Sequence, residues 1–236
     1  MAYTNTTLKK FVSNAKKLMA EMMVSLEILH VCISKGNRKI GKVMNVSTLP
    51  IITCHNCKEC KHLCYDIKAC LQYPHNVLPA RVRNTLLAMY DRERFFDEID
   101  KAISRRRTHK FFRWHVAGDI LDLDYFERMV TIAKNHHDFI FWTYTKNYSI
   151  VNQFCNQYGK QAIPENFSIM FSEWDGMEMK NPYNFPVFSC KLKDGNKNRT
   201  EEEFKKMHKC PGNCDICKSG NGHGCIKGEN TYCDEH

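Results

Sequence analysis

Four cysteines lie within eleven residues, in the run Cys54-His-Asn-Cys57-Lys-Glu-Cys60-Lys-His-Leu-Cys64. So many thiols in so short a segment cannot all face a hydrophobic core, and the run therefore predicts ligation. Its C-x2-C-x2-C-x3-C spacing is typical of [4Fe–4S] ferredoxins, in which the fourth cysteine serves another cluster. Zinc is an alternative, although structural zinc pairs are usually separated by a longer loop. A redox-active C-x-x-C pair is a third interpretation.

A second cysteine group follows near the C-terminus, in the run Cys210-Pro-Gly-Asn-Cys214-Asp-Ile-Cys217. Cys225 and Cys233 come next, and the nearby histidines are His208, His223 and His236. The surrounding segment has little apolar periodicity, so we expect ligation to supply its order. Three interpretations of this group remain. They are a second [4Fe–4S] cluster held by Cys210, Cys214, Cys217 and Cys225, a zinc knuckle, and unligated thiols.

The cysteine count and the charge limit the class of protein. Thirteen cysteines is an odd number, and the first ten residues lack a signal-peptide pattern, so we expect a cytoplasmic protein rather than a disulfide scaffold. The net charge of +9 is partly what two anionic clusters of about −2 each require, so it gives nucleic-acid binding only weak support. The segment 18–32 is interrupted by charged residues, which predicts no membrane span.

Hydrophobic periodicity predicts an α/β fold built around a parallel sheet, open or partly closed into a β/α barrel. We divide the chain into an amphipathic N-terminal helix (1–33), an α/β domain (34–190) and a small cysteine-rich module (191–236). Predicted strands are 111–115, 139–144, 167–172 and 186–190. Between them we predict one helix over 80–107, one opened by a capping box at Asp124, and one running from Asn147 to Gly159.

Polar residues follow several of these strands, at the edge where parallel sheets carry their chemistry. His115 and Asp119 could bind a ligand or transfer protons, or instead serve as a backbone partner and a helix cap. Gly118 between them would admit a close ligand. Thr145 and Lys146 suit contact with an anion, although Lys146 is equally consistent with an ordinary solvated lysine.

Several of these motifs together resemble the phage gene product 88 family. The resemblance rests on the segments Ser34–Lys42, Leu49-Pro50, Cys64-Tyr65, Arg113-Trp-His-Val-Ala-Gly-Asp119 and Phe141-Trp-Thr-Tyr-Thr-Lys146. It implies a radical S-adenosylmethionine (SAM)-like fold, and it suggests Tyr65, Gly118 and Thr145 as cofactor-binding residues. The family pattern C-x5-C-x3-C selects Cys54, Cys60 and Cys64 as ligands and leaves Cys57 as an extra cysteine. The family also often ends in a C-P-G-x-C-x-x-C segment.

The resulting hypothesis is a radical-SAM-like iron–sulfur enzyme of unknown substrate, located in the host cytoplasm if a phage encodes it. His115, Asp119 and Lys146 are its candidate catalytic residues, and a flavodoxin or ferredoxin is the expected electron donor. Three protein ligands would leave one iron open for SAM, whereas four would make a closed electron-transfer cluster. Cys70 departs from the common radical-SAM spacing C-x3-C-x2-C. The alternatives are a non-catalytic electron carrier and a zinc-dependent nucleic-acid-binding protein.

Overall fold

A parallel sheet forms the centre of the molecule in a computed structural model that describes residues 2–218 and 223–235. Within these residues the sheet has seven strands, ordered β1-β2-β3-β4-β5-β7-β6, and every neighbouring pair is parallel. The strands are β1 (Met44–Val46), β2 (Phe111–Trp114), β3 (Ile140–Thr145), β4 (Phe167–Ser172), β5 (Val187–Lys191), β6 (His208–Lys209) and β7 (Thr231–Asp234). The α/β class and the parallel sheet are thus confirmed. The sheet is open, with β1 and β6 at its edges, so closure into a barrel is not confirmed.

The helices of the described segments precede or connect these strands. They are α1 (Asn5–Met23), α2 (Tyr65–Gln72), α3 (Val77–Tyr90), α4 (Arg92–Ser104), α5 (Leu123–Asn135), α6 (Tyr148–Tyr158), α7 (Glu201–Lys205) and α8 (Cys214–Lys218). Thr4 caps α1, because its hydroxyl accepts a hydrogen bond from the Thr7 amide at 3.2 Å. The predicted N-terminal helix was too long, since α1 ends at Met23 and only a 3-10 turn at Leu26–Ile28 follows it.

Two helix predictions also need correction. The single helix predicted over 80–107 is two helices, because Asp91 leaves the helical conformation with φ −144° and ψ 58°. The cap of α5 is Asp122 rather than Asp124, since the Asp122 carboxylate accepts from the Tyr125 amide at 3.0 Å. Asn147 and Gly159 do flank α6 as predicted, and Gly159 has a positive φ of 80°.

The two faces of the sheet pack against different parts of the chain. Phe112, Trp114, Phe141 and similar strand residues join the main core, which also holds the buried residues of α3 to α6. The opposite face forms a smaller cluster in which Trp142 and Met170 lie with Ile40, Val43, Cys225 and Ile226. The cysteine-rich C-terminal segment therefore covers the face that the helices leave open.

The C-terminal segment also belongs to the sheet, which the sequence patterns do not predict. Its strands β6 and β7 continue the order beyond β5, and Phe204 and Met207 are buried beside them. Phe204 packs on Tyr232 with a ring-centroid distance of 5.2 Å. Strand pairing and burial thus contribute to the order of this segment.

Candidate functional site

The first cysteine group lies on the loop that follows β1, at the carboxyl edge of the sheet. The Thr48 amide donates to the Ala117 carbonyl at 3.0 Å, and the Thr48 and Thr53 hydroxyls are 2.9 Å apart. Gly118 passes directly against this turn with a φ of +83°, and a Cβ atom there would lie 1.9 Å from Thr48 Oγ1. Gly118 is therefore needed because the cysteine loop and the loop after β2 approach each other so closely.

Three thiols of this loop form one hydrogen-bonded group. Cys57 Sγ lies 3.8 Å from Cys60 Sγ, and the Cys57 amide donates to the Cys54 carbonyl at 3.0 Å. The Cys57 thiol also interacts with the Cys54 thiol, and its hydrogen bonds to both neighbours raise its own pKa. The hydrogen bond from Cys57 lowers the pKa of Cys60 to about 6, and the positive charge of Lys146 acts in the same direction.

Cys64, the fourth cysteine of the run, occupies the position directly before the first residue of α2. Burial raises the pKa of its thiol to about 11, while hydrogen bonds from the Ile67 and Asp66 amides favour the thiolate. The Asp66 carboxylate is held by Arg81 through two bonds of 3.0 and 3.1 Å. Cys70 is buried and donates its thiol proton toward the same carboxylate at 3.8 Å, which gives Cys70 a structural role.

Asp119 joins the end of β2 to the end of β3. Its buried carboxylate accepts hydrogen bonds from the Thr145 hydroxyl at 2.6 Å and from the amides of Ile120 and Lys146 at 2.8 and 2.9 Å. Burial raises the pKa of Asp119, although these donors favour its charged form. Asp119 and Thr145 thus fix the backbone from which the Lys146 side chain extends.

Lys146 lies between the cysteine loop and the end of β4. Its ammonium donates to Ser172 Oγ at 3.0 Å, and its carbonyl accepts from the Asn56 side chain at 2.5 Å. Asn56 stands between Cys54 and Cys57, so this bond fastens the cysteine loop to the edge of the sheet. The structure therefore brings Asp119, Lys146 and the first cysteine group together.

The edge continues with polar residues that the sequence analysis did not select as site residues. Glu173 pairs with Arg199 at 2.7 Å and accepts a hydrogen bond from Ser189. The Tyr148 hydroxyl donates to the Ser172 carbonyl at 2.5 Å. The position of Glu173 after a predicted strand was the available signal, whereas Arg199 comes from a segment with no strand pattern.

His115 takes a different position from the other candidates. It is 3% exposed with a φ of 51°, and its ring bonds to the Tyr125 hydroxyl at 3.0 Å on the side of α5. Burial, with a contribution from Arg113, lowers the pKa of His115 to about 3, so the ring is neutral at physiological pH. This geometry favours a structural role for His115. Tyr65, by contrast, is 57% exposed beside Cys64, where a ligand can reach it.

The C-terminal cysteines gather on the sheet face opposite the main helices. Cys214, Cys217 and Cys225 pack in the cluster of Trp142 and Met170, and Cys210 lies within electrostatic range of all three. Burial raises the pKa of Cys225 to about 11, and its thiol interacts with the hydroxyls of Tyr144 and Thr231. The Cys214 amide donates a hydrogen bond to the Lys39 carbonyl at 3.1 Å. Three of the four predicted C-terminal ligands therefore share one cluster, and Cys210 lies within electrostatic range of them, although Cys225 follows a glycine-rich insert.

Arg113 is a half-buried cation beside this group. Its guanidinium stacks on the Tyr144 ring at 4.6 Å, and its Nε atom is buried without a hydrogen-bond partner among the described residues. No carboxylate within residues 2–218 and 223–235 forms an ion pair with it, whereas Cys214 and Cys225 lie within range of its charge. A partly buried charge without a carboxylate partner is unfavourable, so this position suits an anionic group held by the thiols.

The other cysteine and histidine residues that the sequence places near the C-terminal group lie in different positions. Cys233 interacts with Cys190 on the neighbouring strand. His208 and His223 stack with ring centroids 6.2 Å apart. His236 lies outside the described residues.

Neither cysteine group has the arrangement of a finished metal site. Among the side chains that the structure describes, no set of three or more histidine, cysteine, aspartate or glutamate residues is already placed to hold a metal ion. Binding a metal or a cluster would therefore require the thiols to reorient. A helix long and apolar enough to cross a bilayer is likewise absent from the described segments.

Substituting Asp119 by asparagine is expected to destabilise the fold by about 1–3 kcal/mol, because an amide in either orientation leaves one buried backbone N–H unpaired. The measurement is the free energy of unfolding in urea. The matched control is Asp97→Asn, which removes an exposed pair with Lys101 and should change stability by less than about 1 kcal/mol. Equal effects of the two variants would contradict the role given to Asp119.

A comparison with protein families places the chain. The family model described as gene product 88 matches residues 7–186, which include the first cysteine group and all of the β2 and β3 motifs. Searches of curated proteins and of solved structures found no significant match. The predicted resemblance is confirmed and extends into α1. Because the matched residues are more than half of the chain, it belongs to the gene product 88 family.

Proposed function

We propose that the chain is an iron–sulfur protein that holds a [4Fe–4S] cluster through Cys54, Cys60 and Cys64 and acts as a radical-SAM-like enzyme. The observation that carries the proposal is the position of these thiols, on the loop after β1 and against Lys146 and Asp119 at the carboxyl edge of a parallel sheet. Chemistry in open parallel sheets is concentrated at this edge. The substrate is not specified, and the expected electron donor is a flavodoxin or ferredoxin in the host cytoplasm.

The donor set suits such a cluster. Thiolates are the usual ligands of iron–sulfur clusters, and amide donors on Cys64 together with the Lys146 charge stabilise negative sulfur. A bound cluster with one iron free of protein ligands supplies one electron and a site for the amino and carboxylate groups of SAM. In this proposal Cys57 stands beside the ligands without binding iron.

The polar edge would orient the nucleotide or the substrate. The Lys146 ammonium, fixed by Ser172, offers a positive charge to an anionic group. The Glu173 carboxylate, held by Arg199, can accept hydrogen bonds from hydroxyl groups. Asp119 contributes by holding the Lys146 backbone, and Tyr65 offers an exposed ring beside the cysteines.

The C-terminal cysteines would hold a second metal group, either another [4Fe–4S] cluster or zinc. The fit rests on Arg113, because four thiolates around either group leave a net negative charge that this half-buried cation would balance. Cys210, Cys214, Cys217 and Cys225 are the expected ligands.

Arg113→Met is expected to weaken metal retention by the C-terminal group about 10- to 100-fold, as loss of supporting groups does at other metal sites. In the metal-free protein the same change should be neutral or stabilising, because it removes a half-buried charge without a carboxylate partner. Competition with a chelator measures the first effect and urea unfolding the second. Arg113→Lys, which keeps the charge, should retain the metal. Unchanged retention in Arg113→Met would contradict this assignment.

The test of the enzymatic proposal is SAM cleavage by the anaerobic, reduced protein. We expect 5′-deoxyadenosine and a SAM-dependent change in the EPR signal, with Lys146→Met reducing product more than iron content. A protein that holds its cluster but gives neither product nor a spectral change would be an electron carrier. A protein that holds only zinc and binds nucleic acid would support the remaining alternative.

A further inference from the structure

Two cysteines outside both proposed ligand sets stand side by side on neighbouring strands. Cys190 on β5 and Cys233 on β7 are register partners in a parallel pair. Adjacent strands lie about 4.8 Å apart, and paired residues of parallel strands present their side chains on the same face. That spacing falls within the Cα–Cα range of about 4.4–6.8 Å that a disulfide requires.

The two thiols differ in their surroundings. The hydrogen bond from Cys233 lowers the pKa of Cys190, and the charge of Lys146 acts in the same direction. The bond between the thiols raises the pKa of Cys233. Both residues are partly exposed, so a small reagent can reach them.

We propose that Cys190 and Cys233 form a redox-active dithiol that a low-molecular-weight disulfide closes into a bond between β5 and β7. The Cys190 thiolate attacks one sulfur of the reagent, whose S–S bond breaks and releases one thiol. Cys233 then attacks the mixed disulfide on Cys190, and the second reagent thiol leaves. The two cysteines lose two electrons and two protons in total. The reagent disulfide takes up these electrons and protons and becomes two thiols.

The closed pair would join the α/β domain to the strand that follows the C-terminal cysteine group. The loop between Cys190 and Cys233 contains all four expected C-terminal ligands. Closure would therefore restrict this segment independently of any metal that it holds.

The experiment treats the anaerobically purified full chain with oxidised glutathione, blocks the remaining thiols by alkylation and maps the peptides by mass spectrometry. We expect a Cys190–Cys233 disulfide to form, and dithiothreitol to reverse it. Cys233→Ser should accumulate one glutathione on Cys190, whereas Cys190→Ser should leave Cys233 mostly unmodified. Cys155→Ser, which removes a buried thiol on α6, should close the pair as the unchanged protein does.

The proposal is overturned if Cys190 and Cys233 stay alkylated as free thiols, or if either pairs instead with a cysteine of the two groups. Equal glutathione adducts on Cys190 and Cys233 in the two serine variants would overturn the order of attack. These outcomes are read from peptide masses, so they do not depend on iron binding or on SAM cleavage.

Discussion

Cys60→Ser is expected to remove all iron from the first cysteine group, a loss of about four iron and four sulfide per chain. Cys54→Ser and Cys64→Ser should have the same effect, because each of the three thiolates would bind a separate iron. Cys57→Ser should keep the cluster, since the family pattern passes over this residue. Iron and acid-labile sulfide, measured after anaerobic reconstitution, report the result.

The matched control for these variants is Cys70→Ser, which alters a buried thiol beside Asp66 but no proposed ligand. It should retain the iron of the unchanged protein. If Cys57→Ser loses the cluster as completely as Cys60→Ser, the site is a closed group of four cysteines. That result would contradict the open iron on which SAM binding depends.

Gly118→Ala is expected to destabilise the protein by about 2–5 kcal/mol, which combines an unfavourable positive φ with overpacking. The added Cβ would lie 1.9 Å from Thr48 Oγ1 and 2.8 Å from Thr53 Oγ1. Because that contact joins the cysteine loop to the loop after β2, iron loading should also fall. Urea unfolding and iron content measure the two effects.

Gly176→Ala separates the backbone effect from the steric one. Gly176 has a similar φ of +75°, but among the described residues no neighbouring atom lies within 4 Å of the position where its Cβ would be. Its substitution should cost only about 1–2 kcal/mol and leave iron content unchanged. If Gly118→Ala lowers the free energy of unfolding by no more than Gly176→Ala does, the stability of the two loops does not depend on their close approach.

The central strands could be predicted because their residues carry a strong local signal. Phe141 and Trp142 lie in a nearly continuous apolar run, and such runs are typical of parallel strands buried on both faces. The register of β6 and β7 could not be predicted, since these strands are short, partly polar and paired with residues distant in sequence. Asp122 was missed as a helix cap because Asp124, with Glu127 three residues on, matches the capping-box pattern, whereas Asp122 is followed by Tyr125 at that spacing.

The residues of the candidate site also differ in whether the sequence could predict them. Asp119 and Lys146 follow recognisable strands, and parallel order alone brings them to one edge. Arg113 was not predicted as a site residue, because its position against Tyr144 and the C-terminal cysteines arises only from tertiary packing. Cys190 resembles a small core residue in sequence, and only its pairing with Cys233 distinguishes it.

The most direct test of the proposal is the metal content of the full chain purified anaerobically from iron-replete cells. The account predicts a brown protein with about four iron and four acid-labile sulfide for each occupied site, and an EPR signal after reduction. A colourless protein that contains zinc and no sulfide would contradict it.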